Sequence, residues 1–152
     1  MASGSEEHSI RDRQRSRVYT WEEMVVYQYS GDTIAFHNIS NMVNYVWDNE
    51  GLLYPPRVTQ FQPNVKSKGA DATRQELRFH GQSNARQVLH ELAHAMTDDV
   101  EYYVEGHGPE FVGMVMHLYS KYLGVDLLML EHTATQMGVL FNRGQRPVFL
   151  DK

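Results

Sequence analysis

The sequence predicts an α+β domain, a small sheet packed against helices, on three observations. Apolar residues recur at three-and-four spacing from Asn38 to Asn49 and again from Ser83 onward, the period of a helix with one buried face. Between these stretches lie two short, partly β-rich runs, Arg57 to Gln62 and Arg74 to Phe79, separated by Pro63 and the polar stretch Lys66 to Asp71. Residues suited to helix ends, among them Ser83, Pro109, Gly124, Asp126 and Gly138, stand where the apolar stripes begin and stop.

Taken in order, residues 1–17 contain little large apolar surface beyond Ile10 and read as a mobile N-terminal arm, leaving residues 18–152 as a single domain. Thr20 and Glu23 have the spacing of a capping box, which predicts a short helix near Trp21 that packs through Met24 and Val25. Ile39, Met42, Val43, Val46 and Trp47 share one helix face, Gly51 stops that helix, and Pro55 with Pro56 breaks the chain before the first strand. Ser83 can cap a helix whose stripe is Ala85, Val88, Leu89, Leu92, Ala93 and Met96. Proline suits a first helical position, so Gly108-Pro109 opens the next helix, with Phe111, Met114, Val115, Leu118, Tyr119 and Tyr122 inward and Gly124 at its end. Asp126 caps a last helix carrying Leu127, Leu130, Ala134 and Met137 to Gly138, and the remainder to Lys152 reads as an irregular tail.

Composition narrows the function classes. Of 152 residues 41% are hydrophobic, about 48% with the 11 glycines, which is ordinary globular usage and excludes disorder along the whole chain. A net charge of −5 and a pI near 5.9 give no overall field for nucleic acid or anionic lipid. With no cysteine, a disulfide framework, a zinc ribbon and a thiol nucleophile are all excluded. The longest apolar runs fall far short of the roughly 20 residues of a membrane span, and the N-terminus lacks the apolar core of a signal peptide, so a soluble, cytoplasmic protein without membrane contact is expected. Arg11, Arg13, Arg15 and Arg17 alternate through the arm as a solvated charged tail or as the one local contact for phosphates.

Residues 90–94 read HELAH. Imidazoles four apart lie one turn from each other on a helix, so His90 and His94 can hold one ion, and the Glu91 carboxylate beside it can take a proton from a bound water. A shuffled chain of this composition shows such a pattern with a chance of roughly 0.03, so context has to carry the assignment. The pair lies about 120 to 160° from the centre of its helix's apolar stripe, outside the expected core. A third donor is available in His107, in the run GHGPEF ahead of the proline-opened helix, where the positive helix end favours the neutral ring that metal binding needs. Glu105 and Glu110 compete for that place, because many zinc hydrolases use two histidines and a carboxylate. Three protein ligands leave one coordination position for water, the arrangement of a catalytic zinc, with Glu91 as general base and then acid in peptide hydrolysis. Tyr102 and Tyr103, between the ligands in sequence, could reach the oxyanion, and an exposed edge at Gln75 to Phe79 could pair with an extended substrate. His8 lies in the arm, and His37, His80, His117 and His132 have no partner at ligand spacing, although His117, on the proline-opened helix, could face the cleft.

HELAHAM at 90–96 followed by GHGPEF at 106–111 resembles the SprT-like metallopeptidases, the family that includes Spartan-type proteases acting on DNA–protein crosslinks. The resemblance implies a zincin-like fold with HELAH on a central helix, one Zn2+ ion on His90, His94 and His107, and Glu91 as catalytic acid/base. It covers about 22 residues closely. Many members add a Cys-rich zinc ribbon or other DNA-binding segments, and this chain has no cysteine, while Asp98, Asp99, Glu101 and Glu105 make the stretch between the ligands acidic. The expectation is therefore a zinc metalloendopeptidase acting on protein or peptide, with DNA contact weak and confined to the arm. The alternative is a regulatory or interaction module that keeps the metal-binding fold and cleaves little.

Overall fold

The computed structural model describes residues 12–66, 69–99 and 104–149. It is a mixed α+β structure, about half helical, with a small sheet. The chain enters through helix α1 (Arg15–Trp21), which buries Val18 and Trp21, widens into a π-helical turn over Glu22–Val26 and closes in a 3₁₀ turn over Tyr27–Tyr29. Residues 12–17, expected in the mobile arm, are thus part of the packed fold. Gln14 is buried, its amide donating to the carbonyl oxygens of His107 at 3.0 Å and Leu140 at 2.9 Å and accepting from Leu140 N at 2.8 Å. The expected capping box does not form, because the helix has already started: the Thr20 hydroxyl donates back to Ser16 O at 3.0 Å, and Met24 points outward.

Strand β1 (Thr33–Ile34) leads into helix α2 (Phe36–Asn49), two residues longer at its start than the apolar pattern suggested. It buries Ile39, Val43, Val46 and Trp47, each contributing about 1.5–3 kcal/mol to folding. The sheet follows, with β2 (Arg57–Gln60), β3 (Asp71–Ala72) and β4 (Glu76–Phe79) in the order β2-β4-β3. The two runs read from sequence are β2 and β4, and they pair in parallel, Val58 opposite Leu77 and Gln60 opposite Phe79. A parallel pair needs a long crossover, which is the physical use of the stretch 61–75, and β3 within it pairs antiparallel to β4. Period-two alternation buries Leu77 and Phe79 and leaves Arg78 outside, gripping the Asp71 carboxylate with two hydrogen bonds of 2.8 and 2.6 Å. Gln75 to Phe79, expected to present an edge, is the sheet's central strand, and the edge beside it is β3.

Strand β5 (Ser83–Asn84) pairs with β1 and runs directly into helix α3 (Ala85–Met96). The cap is Asn84, whose Oδ1 accepts from Gln87 N at 2.8 Å; Ser83, the expected cap, is one residue too early and is held in the strand pairing. Helices α4 (Pro109–Leu123), opened by proline and closed by Gly124 in the left-handed conformation, and α5 (Leu127–Gln136), capped by Asp126 on Met129 N, have the expected boundaries. Residues 139–149, read as a tail, are packed on the domain. Val148 N donates to Met96 O at 3.0 Å at the end of α3, Asn142 N donates to Pro109 O at 3.0 Å, and Phe149 stacks on Trp47 with ring centroids 5.9 Å apart. Where this segment crosses α4, Gly113 leaves it room, since a Cβ there would stand 2.1 Å from Asn142 O. No helix among the described residues is long and apolar enough to cross a membrane.

Candidate metal centre

Helix α3 is buried nearly all round, which its sequence stripe did not anticipate. His90 and Glu91 are buried and His94 partly so, because α1 and the start of α4 roof the face away from the apolar stripe. Phe111 of α4 stacks on His94 at 4.2 Å between centroids and meets His90 and His107 edgewise at 5.0 Å. Tyr19 of α1 covers the other side, 4.9 Å from the His107 ring and 6.0 Å from that of His90.

Among the described residues one group converges as a metal site, His90, His94 and His107, with one ring nitrogen of each within 4.8 Å of the others. Nε2 of His94 and Nε2 of His107 are 3.2 Å apart. Two imidazole nitrogens at about 2.0–2.1 Å from one tetrahedral ion are about 3.3 Å apart, so the spacing fits a shared ion. Neither Glu105 nor Glu110 belongs to the group, and Glu105 lies 3.6 Å from the Arg13 guanidinium instead. His117 faces away, its Nε2 2.7 Å from Glu50 Oε1.

Two carboxylates that sequence spacing did not reveal set the ring tautomers. Glu22, buried at the start of the π turn, has Oε2 2.8 Å from His90 Nδ1 and accepts a second bond from the Tyr119 hydroxyl. Asp12 places Oδ2 2.9 Å from His107 Nδ1 and Oδ1 2.8 Å from His107 N. A carboxylate only accepts, so each Nδ1 carries the proton and each Nε2 keeps its lone pair toward the centre of the group. Burial would raise Glu22, but the charge and hydrogen bond of His90 outweigh it and hold the carboxyl low; Asp12 is lowered against its burial by His107 in the same way. Burial alone would lower His90, and Glu22 reverses this, raising it. Among the described residues His94 has no such counterion: burial first, then the charges of His90 and His107, hold it well below the ordinary value, in the neutral form that coordinates.

Glu91 differs from Glu22 in having no hydrogen bond to its carboxyl among the described residues. Burial chiefly, with added repulsion from Asp71 and Glu22 against the attraction of His90, pushes it up to about 7. It lines a cleft of about 270 Å³ together with His90, Tyr19, Arg15 and Arg86. A second cleft of about 190 Å³ lies on the His94 side, lined by Ala72 and Thr73 beyond the edge strand and by Glu105 and Gly106. The Tyr19 phenol is raised by burial, Glu91 and Glu22, with its Arg15 partner opposing.

Of the other expected site residues, Tyr102, Tyr103 and Arg11 lie outside the described residues. The remaining arginines have partners within the protein: Arg13 is near Glu105, Arg15 lies over the Tyr19 ring at 5.7 Å, and Arg17 donates to Gly138 O at 3.0 Å. Comparison with family models, with curated proteins and with solved structures finds no match to this chain.

Proposed function

We propose that this protein is a zinc-dependent peptidase of zincin-like architecture, with His90, His94 and His107 as the ligands of one zinc ion and Glu91 as the proton carrier. The observation that carries the proposal is the division of labour between two buried glutamates beside one histidine. Glu22 is spent on His90 Nδ1, whereas Glu91 is free of hydrogen bonds among the described residues, faces the cleft and has its pKa raised to about 7. A carboxyl so placed is matched to taking and returning a proton near neutral pH. A structural three-histidine site has no use for it.

The donor set of three imidazoles, two of them held by carboxylates, suits zinc. Bound there, zinc would acidify a water and polarise a peptide carbonyl. Glu91 accepts the water's proton as its oxygen adds to the carbonyl carbon and returns that proton to the leaving nitrogen as the C–N bond breaks. Phe111 and Tyr19 keep bulk water from the imidazole faces. The antiparallel edge β3 offers its backbone to an extended chain lying between the two clefts. The order of motif helix, GHGPEF run and following helix supports the SprT-like resemblance, and the protein or peptide substrate follows from the chemistry. DNA has a minor place in this reading, because Arg13, Arg15 and Arg17 are engaged within the fold.

Purified protein reconstituted with zinc and offered an unfolded protein tests the reading, with Glu91→Gln as comparison. The wild type cleaves; the variant retains one zinc by elemental analysis and loses most hydrolysis, because an amide cannot accept the proton. Equal turnover in the two, or none in a zinc-loaded wild type, overturns it.

A further inference from the structure

We infer that the Tyr19 hydroxyl is the hydrogen-bond donor to the oxyanion in the proposed peptide hydrolysis, with Arg15 as the residue that positions it. The inference rests on the peptidase reading and supplies the group that the reaction still lacks: Glu91 handles the proton, and no residue has yet been assigned to the carbonyl oxygen as it gains charge.

The geometry on α1 points to this role. Tyr19 lies on the same cleft wall as His90 and Glu91, its ring 4.9 Å from His107 and nearly parallel to His90 at an interplanar angle of 13°. It therefore overhangs two of the three imidazoles. Tyr119 and Tyr122 spend their hydroxyls on carboxylates, those of Glu22 and Glu50. Tyr19 is instead 40% exposed, opens onto the cleft, and has the Arg15 guanidinium near its ring, with its hydroxyl given to no carboxylate among the described residues. A phenol not spent on a carboxylate keeps its own proton to donate. The Arg15 carbon sits 5.7 Å from the ring centroid, so the cation also brings positive charge to the place where negative charge develops. Arg15 and Tyr19 are four residues apart on one short helix, which keeps the pair in register, and the buried Val18 and Trp21 anchor that helix between them.

In the addition step the water oxygen bonds to the carbonyl carbon, the π pair moves to the carbonyl oxygen, and Glu91 takes the water's proton. Tyr19 transfers nothing; its O–H strengthens a hydrogen bond to the oxygen as the charge forms. When the C–N bond breaks the pair returns to the carbonyl, the nitrogen takes the proton from Glu91, and the bond to Tyr19 weakens again.

The test uses the zinc-loaded full chain with Tyr19→Phe, which keeps the ring over His107 and removes only the hydroxyl. Loss of one oxyanion donor lowers kcat roughly 100-fold or more. KM, zinc content and melting temperature stay at wild-type values, and affinity for a phosphinic peptide, whose tetrahedral anion copies the charged oxygen, falls in parallel with kcat. Arg15→Gln lowers kcat by less and has no further effect in the Tyr19→Phe background. Unchanged kcat and phosphinate affinity in Tyr19→Phe overturn the inference, as does loss of zinc, which would make the hydroxyl part of the metal site. A zinc-loaded wild type that cleaves nothing overturns the peptidase reading itself, a result the variants cannot produce.

Discussion

His90 Nδ1 stands 2.8 Å from Glu22 Oε2, a bond that joins residues 68 apart in sequence and fixes which ring nitrogen faces the metal site. Exchange of Glu22 for Gln preserves the shape but removes the charge that holds the Nδ1 proton. Metal affinity is expected to fall roughly 10- to 100-fold, the usual cost of losing a carboxylate behind a ligating histidine. Competition with a chromogenic chelator measures it, and unchanged affinity would deny Glu22 that role.

Asp12 does for His107 what Glu22 does for His90, so the N-terminal segment belongs to the metal site. Deleting residues 1–17 is expected to weaken metal binding, and Asp12→Asn to weaken it by a similar roughly 10- to 100-fold factor. Elemental analysis after dialysis against a weak chelator reads both. A truncated protein that keeps its metal fully would restore the view of these residues as a dispensable arm.

In the metal-free protein Glu91 is expected to withdraw stability as the pH rises from mildly acid to slightly alkaline, opposed below 6.5 by His94, whose lowered pKa adds stability with rising pH. Glu91, ordinarily near 4.5, is raised to about 7 in the fold, so its contribution is complete below 4.5 and is lost as the pH rises through about 7. His90 is raised as well and acts in the same direction above its ordinary 6.5. Melting temperature against pH in the presence of chelator checks this, and Glu91→Gln should remove the downward contribution between 4.5 and 7, leaving a more positive slope than wild type.

Glu50 predicts the opposite limb. Its carboxyl, 4% exposed, accepts from His117, Lys121 and Tyr122 and so ties the end of α2 to α4. Burial would raise it, but these hydrogen bonds lower it to about 2 from 4.5. The stability it contributes is present above 4.5 and lost as the pH falls toward 2. Wild type and Glu50→Gln should differ in melting temperature at neutral pH and converge in acid; a constant difference would mean that the charge is irrelevant.

Gly113 tests the packing of the C-terminal segment. Its Cβ position lies 2.1 Å from Asn142 O and 2.9 Å from Gln145 Cβ, so Gly113→Ala must push residues 142–145 away from α4. A loss of about 1–3 kcal/mol is expected. Thermal unfolding measures it, and a melting temperature equal to wild type would show that the segment yields freely.

What could be read from the sequence was local. The ends of α4 and α5 follow from Pro109, Gly124 and Asp126, and the three histidines brought together in the structure lie within 17 positions of one another in the sequence, two of them one helical turn apart. What was missed depends on contacts between distant residues. Asp12 and Glu22 have no spacing relationship to the histidines they orient, and the polar composition that made residues 12–17 look like an arm is the composition of a segment whose carboxylate and amide are used inward. Strand β3, at two residues, is too short for any alternation to register, and parallel pairing of β2 with β4 is a property of the crossover rather than of either run. The polar face of α3 looked solvated because a helix seen alone does not show what roofs it.

The crossed placement of the site's parts sets an order of events during synthesis. Asp12 and Glu22 leave the ribosome early, while His107, just ahead of α4, and the Tyr119 hydroxyl on α4 that braces Glu22 come later. At about 5–20 residues per second, several seconds separate the first carboxylate from the last imidazole. The motif pair His90 and His94 offers only two nitrogens in that interval, before the α4 roof with Phe111 has been made. The group of three nitrogens is therefore complete only after His107 has emerged, so any ion it takes up joins the chain late.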